Sequence, residues 1–272
     1  MSADPVETCL PFLKWAGGKR WFVTRYPDTV PAHFGRYIEP FLGSGALFFA
    51  VRPRQAVLSD LNPELIATFE AIRSDWKNVV SLLKRYQRLH SSEFYYRTRS
   101  SHPRSAHARA AKFIYLNRTC WNGLYRVNKY GQFNVPVGTK QTVLFPTDDF
   151  SAVSLALKNT SLLASDFEPV IRQSEPGDLI FADPPYVTSH LNNGFLKYNE
   201  RLFSWNDQIR LRDCLHEASK RGVRVLATNA DSPSIRHLYG GHFNIRAVTR
   251  LSAIAASAAR RGTTTELIIT SW

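Results

Sequence analysis

The sequence predicts an α/β protein: an open, largely parallel sheet interrupted by a basic insertion. Three observations predict it. Short apolar runs alternate with longer segments of helical period. One early run passes into a glycine turn, a helix start, a second run and a terminal acid, the order of a nucleotide-binding half-sheet. The middle of the chain is stripped of acidic residues.

The elements follow in order. Residues 36–40 read as a strand, the turn FLGSG follows, and ALFFAV starts a helix. Residues 55–59 form a second strand ending at Asp60, and Asn62-Pro63 starts a helix, since proline suits a first helical turn. Helical period runs over 65–89 and again over 106–116. Residues 125–127 and 133–135 flank the turn-rich 128–131 and predict a hairpin. Strands are then expected at 161–164 and 179–182, a helix over 206–221, and strands at 224–228 and 266–270.

The 272 residues suffice for one large domain or one domain with an insertion, and 44% hydrophobic residues allow a substantial core. The formal net charge is +13, and nine basic residues fall between Phe94 and Thr147, where no Asp or Glu occurs. Tyr95, Tyr96, Tyr115, Trp121, Tyr125, Tyr130 and Phe133 are interleaved with them. A one-sided basic field with aromatics suits a nucleic-acid partner, through phosphate neutralisation and base stacking. Cys9, Cys120 and Cys214 are too widely spaced for a disulfide framework or a zinc site. The eight histidines are scattered, and no metal is expected. No run of about 18 apolar residues and no apolar signal core at the N-terminus are present, so a cytoplasmic protein is expected.

Three motifs carry chemistry. The glycines of Phe41-Leu42-Gly43-Ser44-Gly45 let backbone approach a ligand closely. Asp60, at the end of the next strand, can accept from ribose hydroxyls; the competing role is a helix N-cap. Asp183-Pro184-Pro185-Tyr186 ends a buried strand in a stiff turn. A fixed carboxylate and nearby carbonyls match the two N–H donors of a planar amine, and Tyr186 can stack on its ring. The segment 12–19 (FLKWAGGK) fails the phosphate-loop spacing. Trp15 and Lys19 either line a cofactor pocket, Lys19 meeting a carboxylate, or are a packed ring and a solvated amine.

Together the segments 12–19, 39–49, 59–66, 117–138, 165–168 and 183–186 resemble, in content and order, the Dam family of DNA adenine methyltransferases. The resemblance implies a Rossmann-like methyltransferase sheet with a mainly helical, hairpin-containing DNA-recognition insertion. It places the catalytic domain at 10–66 and 155–272 and the insertion at 67–154. It implies S-adenosyl-L-methionine as cofactor, contacted by Trp15, Lys19, Phe41, Gly43, Gly45, Asp60, Asp166, Phe167 and Asp183. Asp183, Pro184, Pro185 and Tyr186 are implied to hold a flipped adenine for methylation at N6. Lys14, Arg118, Trp121, Asn122, Leu124, Arg126, Asn128 and Pro136 are implied to contact double-stranded DNA, in a GATC-like site, with Arg126 on guanine and Pro136 against a thymine methyl. A monomer without membrane attachment is expected.

The sequence departs from the family at Trp121, where Phe or Tyr is usual, and over 250–261, which is alanine-rich where the family has a basic, Ser- and Gly-rich phosphate clamp. The competing role for Trp121 is a hydrophobic anchor inside the hairpin. Cytosine N4 or RNA adenine as acceptor, and an inactive DNA-binding regulator on the same scaffold, are the alternatives.

Overall fold

A computed structural model describes residues 9–123, 125–128, 131–186, 203–251 and 263–272. Its strands are β1 (Tyr37–Glu39), β2 (Ala56–Asp60), β3 (Thr160–Ala164), β4 (Leu179–Ala182), β5 (Arg224–Ala230), β6 (Asn244–Leu251) and β7 (Thr263–Thr270). Its helices are α1 (Arg20–Arg25), α2 (Ala46–Val51), α3 (Pro63–Leu89), α4 (Ser92–Ser100), α5 (Ala106–Thr119), α6 (Phe150–Ala156), α7 (Phe167–Arg172), α8 (Trp205–Lys220) and α9 (Pro233–Tyr239). The chain divides into two compact units, Met1–Arg25, Leu42–Arg54 and Asn62–Ala164 in one, and Tyr26–Phe41, Gln55–Leu61 and Ser165–Trp272 in the other.

The second unit holds six strands of a seven-stranded sheet, in the order β2-β1-β4-β5-β7-β6. The first four run parallel: Ile38 pairs with Val57 and Ile180, and Ala182 with Ala227. β7 returns antiparallel beside β5, Glu266 opposite Ala230, and β6 closes the edge antiparallel to β7. β1, β4 and residues 225–230 of β5 are buried throughout. That is why these runs are near-continuously apolar rather than alternating: parallel strands are covered on both faces. β6 was not expected from the sequence. In NIRAVTRL, Arg246 and Arg250 break the apolar run, as befits an edge strand. Residues 252–261 of the alanine-rich stretch lie outside the described residues.

The first unit is mostly helical. The Asn62 side chain accepts from the amides of Glu64 and Leu65 and caps α3, with Pro63 in the first turn. The cap is therefore Asn62, not Asp60. Phe12, Phe49, Phe69 and Phe150 form its aromatic core: Phe69 lies 4.9 Å from Phe12 and 6.3 Å from Phe49, and Phe12 lies 5.9 Å from Phe150. Apolar side chains from 12–25 and 42–54 are buried with α3 and α6, so those segments group with the helices.

Candidate active site

Parallel strands deliver their carboxyl ends to one edge of a sheet, and open α/β folds bind ligands there. In the second unit that edge carries Glu39, Asp60 and Asp183, at the ends of β1, β2 and β4. The Thr228 hydroxyl donates to Asp183 Oδ1 at 2.7 Å. Thr228 is buried in β5, one step beyond the Ala182–Ala227 pair, so the sheet register itself aims the carboxylate. The Tyr37 hydroxyl donates to buried Glu39 at 2.9 Å, and the Tyr186 hydroxyl to Glu266 at 3.0 Å. Burial first, then the negative charge of Asp183 and Glu266, holds the Tyr186 hydroxyl well above the ordinary tyrosine range. It therefore stays a hydrogen-bond donor at neutral pH. Pro184 is buried and Pro185 and Tyr186 are half-buried.

Beside β2, the Ser165 amide donates to the Asp60 carbonyl at 3.2 Å, which fixes the following segment Asp166-Phe167. Phe41 lies 5.4 Å from Phe167 and 5.7 Å from Phe203, an aromatic wall. Asp166 caps α7 by accepting from the Glu168 amide at 2.9 Å. Arg210 grips the Asp166 carboxylate with two bonds of 2.9 Å and lies 4.3 Å over the Phe167 ring. Aromatic faces next to carboxylates fit an adenosine group, whose base stacks and whose ribose and amine donate hydrogen bonds.

In the first unit, Gly43 (φ +48°) and Gly45 (φ +66°) take left-handed conformations before α2. A Cβ on Gly43 would come 2.7 Å from the Trp15 ring, so only glycine lets the indole lie on this turn. Lys19 is 3% exposed and its ammonium donates to the Gly17 carbonyl at 2.9 Å. The solvated-lysine alternative is thus corrected: a buried cation beside a glycine loop suits an anionic group.

Also in the first unit, the segment after α5 is a hairpin-like excursion closed by isolated bridges, Cys120 with Val137 and Val127 with Phe133. The Trp121 amide donates to the Pro136 carbonyl at 3.0 Å, and the Asn128 amide to the Gln132 carbonyl at 2.8 Å. The Asn128 side-chain oxygen accepts from the Gln132 amide, closing the tip. Trp121, Asn122, Arg126 and Pro136 are all exposed on this excursion, and Arg126 Nε donates to Asn134 at 3.1 Å. Trp121 is 53% exposed, which overturns its alternative as a buried anchor. Leu124 lies outside the described residues.

Lys14 is tied to this segment. The Asn117 side chain accepts from the Lys14 amide at 2.9 Å and donates to the Lys14 carbonyl at 2.7 Å. Trp15 stacks on Tyr125 with ring centres 5.6 Å apart and planes 18° from parallel. Burial, then neighbouring Lys140 and Arg118, lowers the Lys14 ammonium below the ordinary lysine range. Asn117 had no assigned role at the sequence level. Its signal was a polar residue closing the apolar run FIYLN, and it is fully buried.

Arg118 requires a correction. It is 1% exposed, donates to both oxygens of Asp148, and donates also to the carbonyls of Phe12 and Val143. A guanidinium so enclosed is committed to the interior and is not a phosphate contact. Among the described residues no group of three or more His, Cys, Asp or Glu could hold a metal ion, and no helix is long and apolar enough to cross a membrane.

An acid at the end of each of three neighbouring parallel strands, with an aspartate-proline turn on the third, lies at the edge where open α/β folds bind their ligands. The family model described as D12 class N6 adenine-specific DNA methyltransferase matches residues 15–254. A type II methyltransferase, M1.LlaDCHI of Lactococcus lactis subsp. cremoris, is 36% identical over 96% of this chain and 95% of its own. M.MjaIII of Methanocaldococcus jannaschii is 34% identical over 88% of this chain and 90% of its own. The DNA adenine methylase of Vibrio cholerae is 30% identical over 94% of each. The chain belongs to the D12 class of N6 adenine-specific DNA methyltransferases.

Proposed function

We propose that the protein uses S-adenosyl-L-methionine to methylate N6 of an adenine extruded from duplex DNA, within GATC. The observation that carries this reading is Asp183: a carboxylate at the ligand-binding edge, aimed by Thr228 and backed by two prolines. When bound, the cofactor supplies an electrophilic methyl on a sulfonium sulfur. Asp60, Asp166, Phe41 and Phe167 have the chemistry to hold its adenosine, and Trp15, Lys19, Gly43 and Gly45 to bind its amino-acid end.

The residues' work on the base is orientation. Extrusion costs a few kcal/mol of stacking and pairing. Tyr186 restores stacking, while Asp183 and the Pro184 carbonyl accept hydrogen bonds from the two N6 N–H groups. Those bonds turn the nitrogen lone pair toward the methyl and polarise the amine in the direction of attack. Bound there, the cofactor would give up its methyl and keep the carbon–sulfur electron pair, while Asp183 and the Pro184 carbonyl would hold the amine as it loses one proton. No covalent enzyme intermediate and no metal enters this scheme.

Exposed Trp121, Asn122, Arg126 and Pro136, with Lys14 and Asn128 beside them, support recognition through the hairpin. Arg126 is the residue suited to a bidentate guanine contact. Methylation mapped on plasmid DNA from an expressing methylation-deficient host should place modified adenines in GATC. Modification only at sites lacking that sequence rejects the specificity. The protein is taken to act as a cytoplasmic monomer.

A further inference from the structure

Glu266 is the one charged residue of the buried run 266–269 in β7, and it is 3% exposed. A carboxylate enclosed in this way is costly unless its oxygens are satisfied. β7 runs antiparallel to β5, and Glu266 sits opposite Ala230, two positions from the Thr228 that aims Asp183. Its Oε2 accepts from the Tyr186 hydroxyl at 3.0 Å, across 80 residues of chain. Tyr186 follows a rigid proline pair, which sets its backbone but leaves its ring torsions to be set by contacts. A hydrogen bond at the far end of the ring fixes the plane of its face.

We propose that Glu266 is a positioning residue for the target base: by accepting the Tyr186 hydroxyl it fixes the ring on which the extruded adenine stacks. This deepens the methyltransferase reading and rests on it. In this role Glu266 acts through Tyr186, so its removal is expected to change base capture rather than cofactor binding. The size of the effect is bounded by what one base–aromatic stack contributes, about 5- to 140-fold.

The test is a double-mutant cycle on duplex carrying 2-aminopurine at the target adenine, whose fluorescence rises on unstacking. Wild type, Glu266→Ala, Tyr186→Phe and the double variant are compared for fluorescence gain on that duplex, for KM and kcat on the same duplex with adenine at the target position, and for cofactor Kd. Each single variant should lose fluorescence gain and raise KM for DNA by a similar factor. The double variant should be no worse than either single, with cofactor Kd within about twofold of wild type. Glu266→Gln, whose amide oxygen still accepts, should fall closer to wild type than Glu266→Ala. Independent, multiplying losses overturn the proposal. Should Glu266→Ala not fold, Tyr186→Phe decides alone, and a wild-type fluorescence gain from it overturns the proposal. Absence of methyl transfer by the wild-type protein would instead sink the underlying reading.

Discussion

Asp183→Ala is expected to lower single-turnover methyl transfer by at least 10²–10³-fold, on the order of 3–4 kcal/mol. The substitution removes the carboxylate that accepts a hydrogen bond from N6 and takes from the Thr228 hydroxyl the acceptor at which it is aimed. Both losses act at the moment of attack, so the rate falls far more than affinity. Cofactor Kd should change by less than the rate, and DNA binding by hairpin residues in the other unit should persist. Tritium transfer from labelled cofactor to unmethylated duplex, read beside DNA binding by anisotropy, separates these quantities. An unchanged transfer rate would remove Asp183 from the chemistry.

Arg118→Met is expected to destabilise the protein by about 3–5 kcal/mol, the cost of leaving one member of a buried ion pair alone. Asp148, nearly buried, loses both guanidinium bonds, and the carbonyls of Phe12 and Val143 lose their donors. Phe12 opens the segment that carries Lys14, Trp15 and Lys19, so cofactor affinity should weaken as well. The urea midpoint measures the first effect and calorimetric titration the second. DNA affinity of the folded fraction should keep its wild-type salt dependence. A residue contacting phosphate would lower that slope by about 0.9 per contact on B-form DNA, and such a change would restore Arg118 to the DNA face.

The sheet was legible where burial left strong patterns. LIFA at 179–182 coincides with β4, because a buried parallel strand reads as a continuous apolar run. The long helix from Pro63 was legible in its proline start and its period, while its cap fell on Asn62 and not on Asp60. β6 was missed because an edge strand bearing arginines has no such run. The site was legible as motifs, since glycine turns and an aspartate-proline pair constrain the backbone wherever they occur. Environment was not. Arg118 and Lys19 are both basic residues in charged, motif-rich surroundings, and a linear sequence does not say that Asp148 or Gly17 faces them. Nor does spacing reveal that Thr228, Asn117 and Glu266 reach across 45, 103 and 80 residues to hold Asp183, Lys14 and Tyr186. Such partners are fixed by strand register and helix docking, which exist only in the fold.

The most direct test identifies the product. Unmethylated duplex is incubated with the protein and methyl-labelled S-adenosyl-L-methionine, then digested to nucleosides and separated. The label should appear in N6-methyldeoxyadenosine. Label in N4-methyldeoxycytidine, or none at all from a folded protein that binds the cofactor, would contradict an amine-orienting adenine pocket built on Asp183.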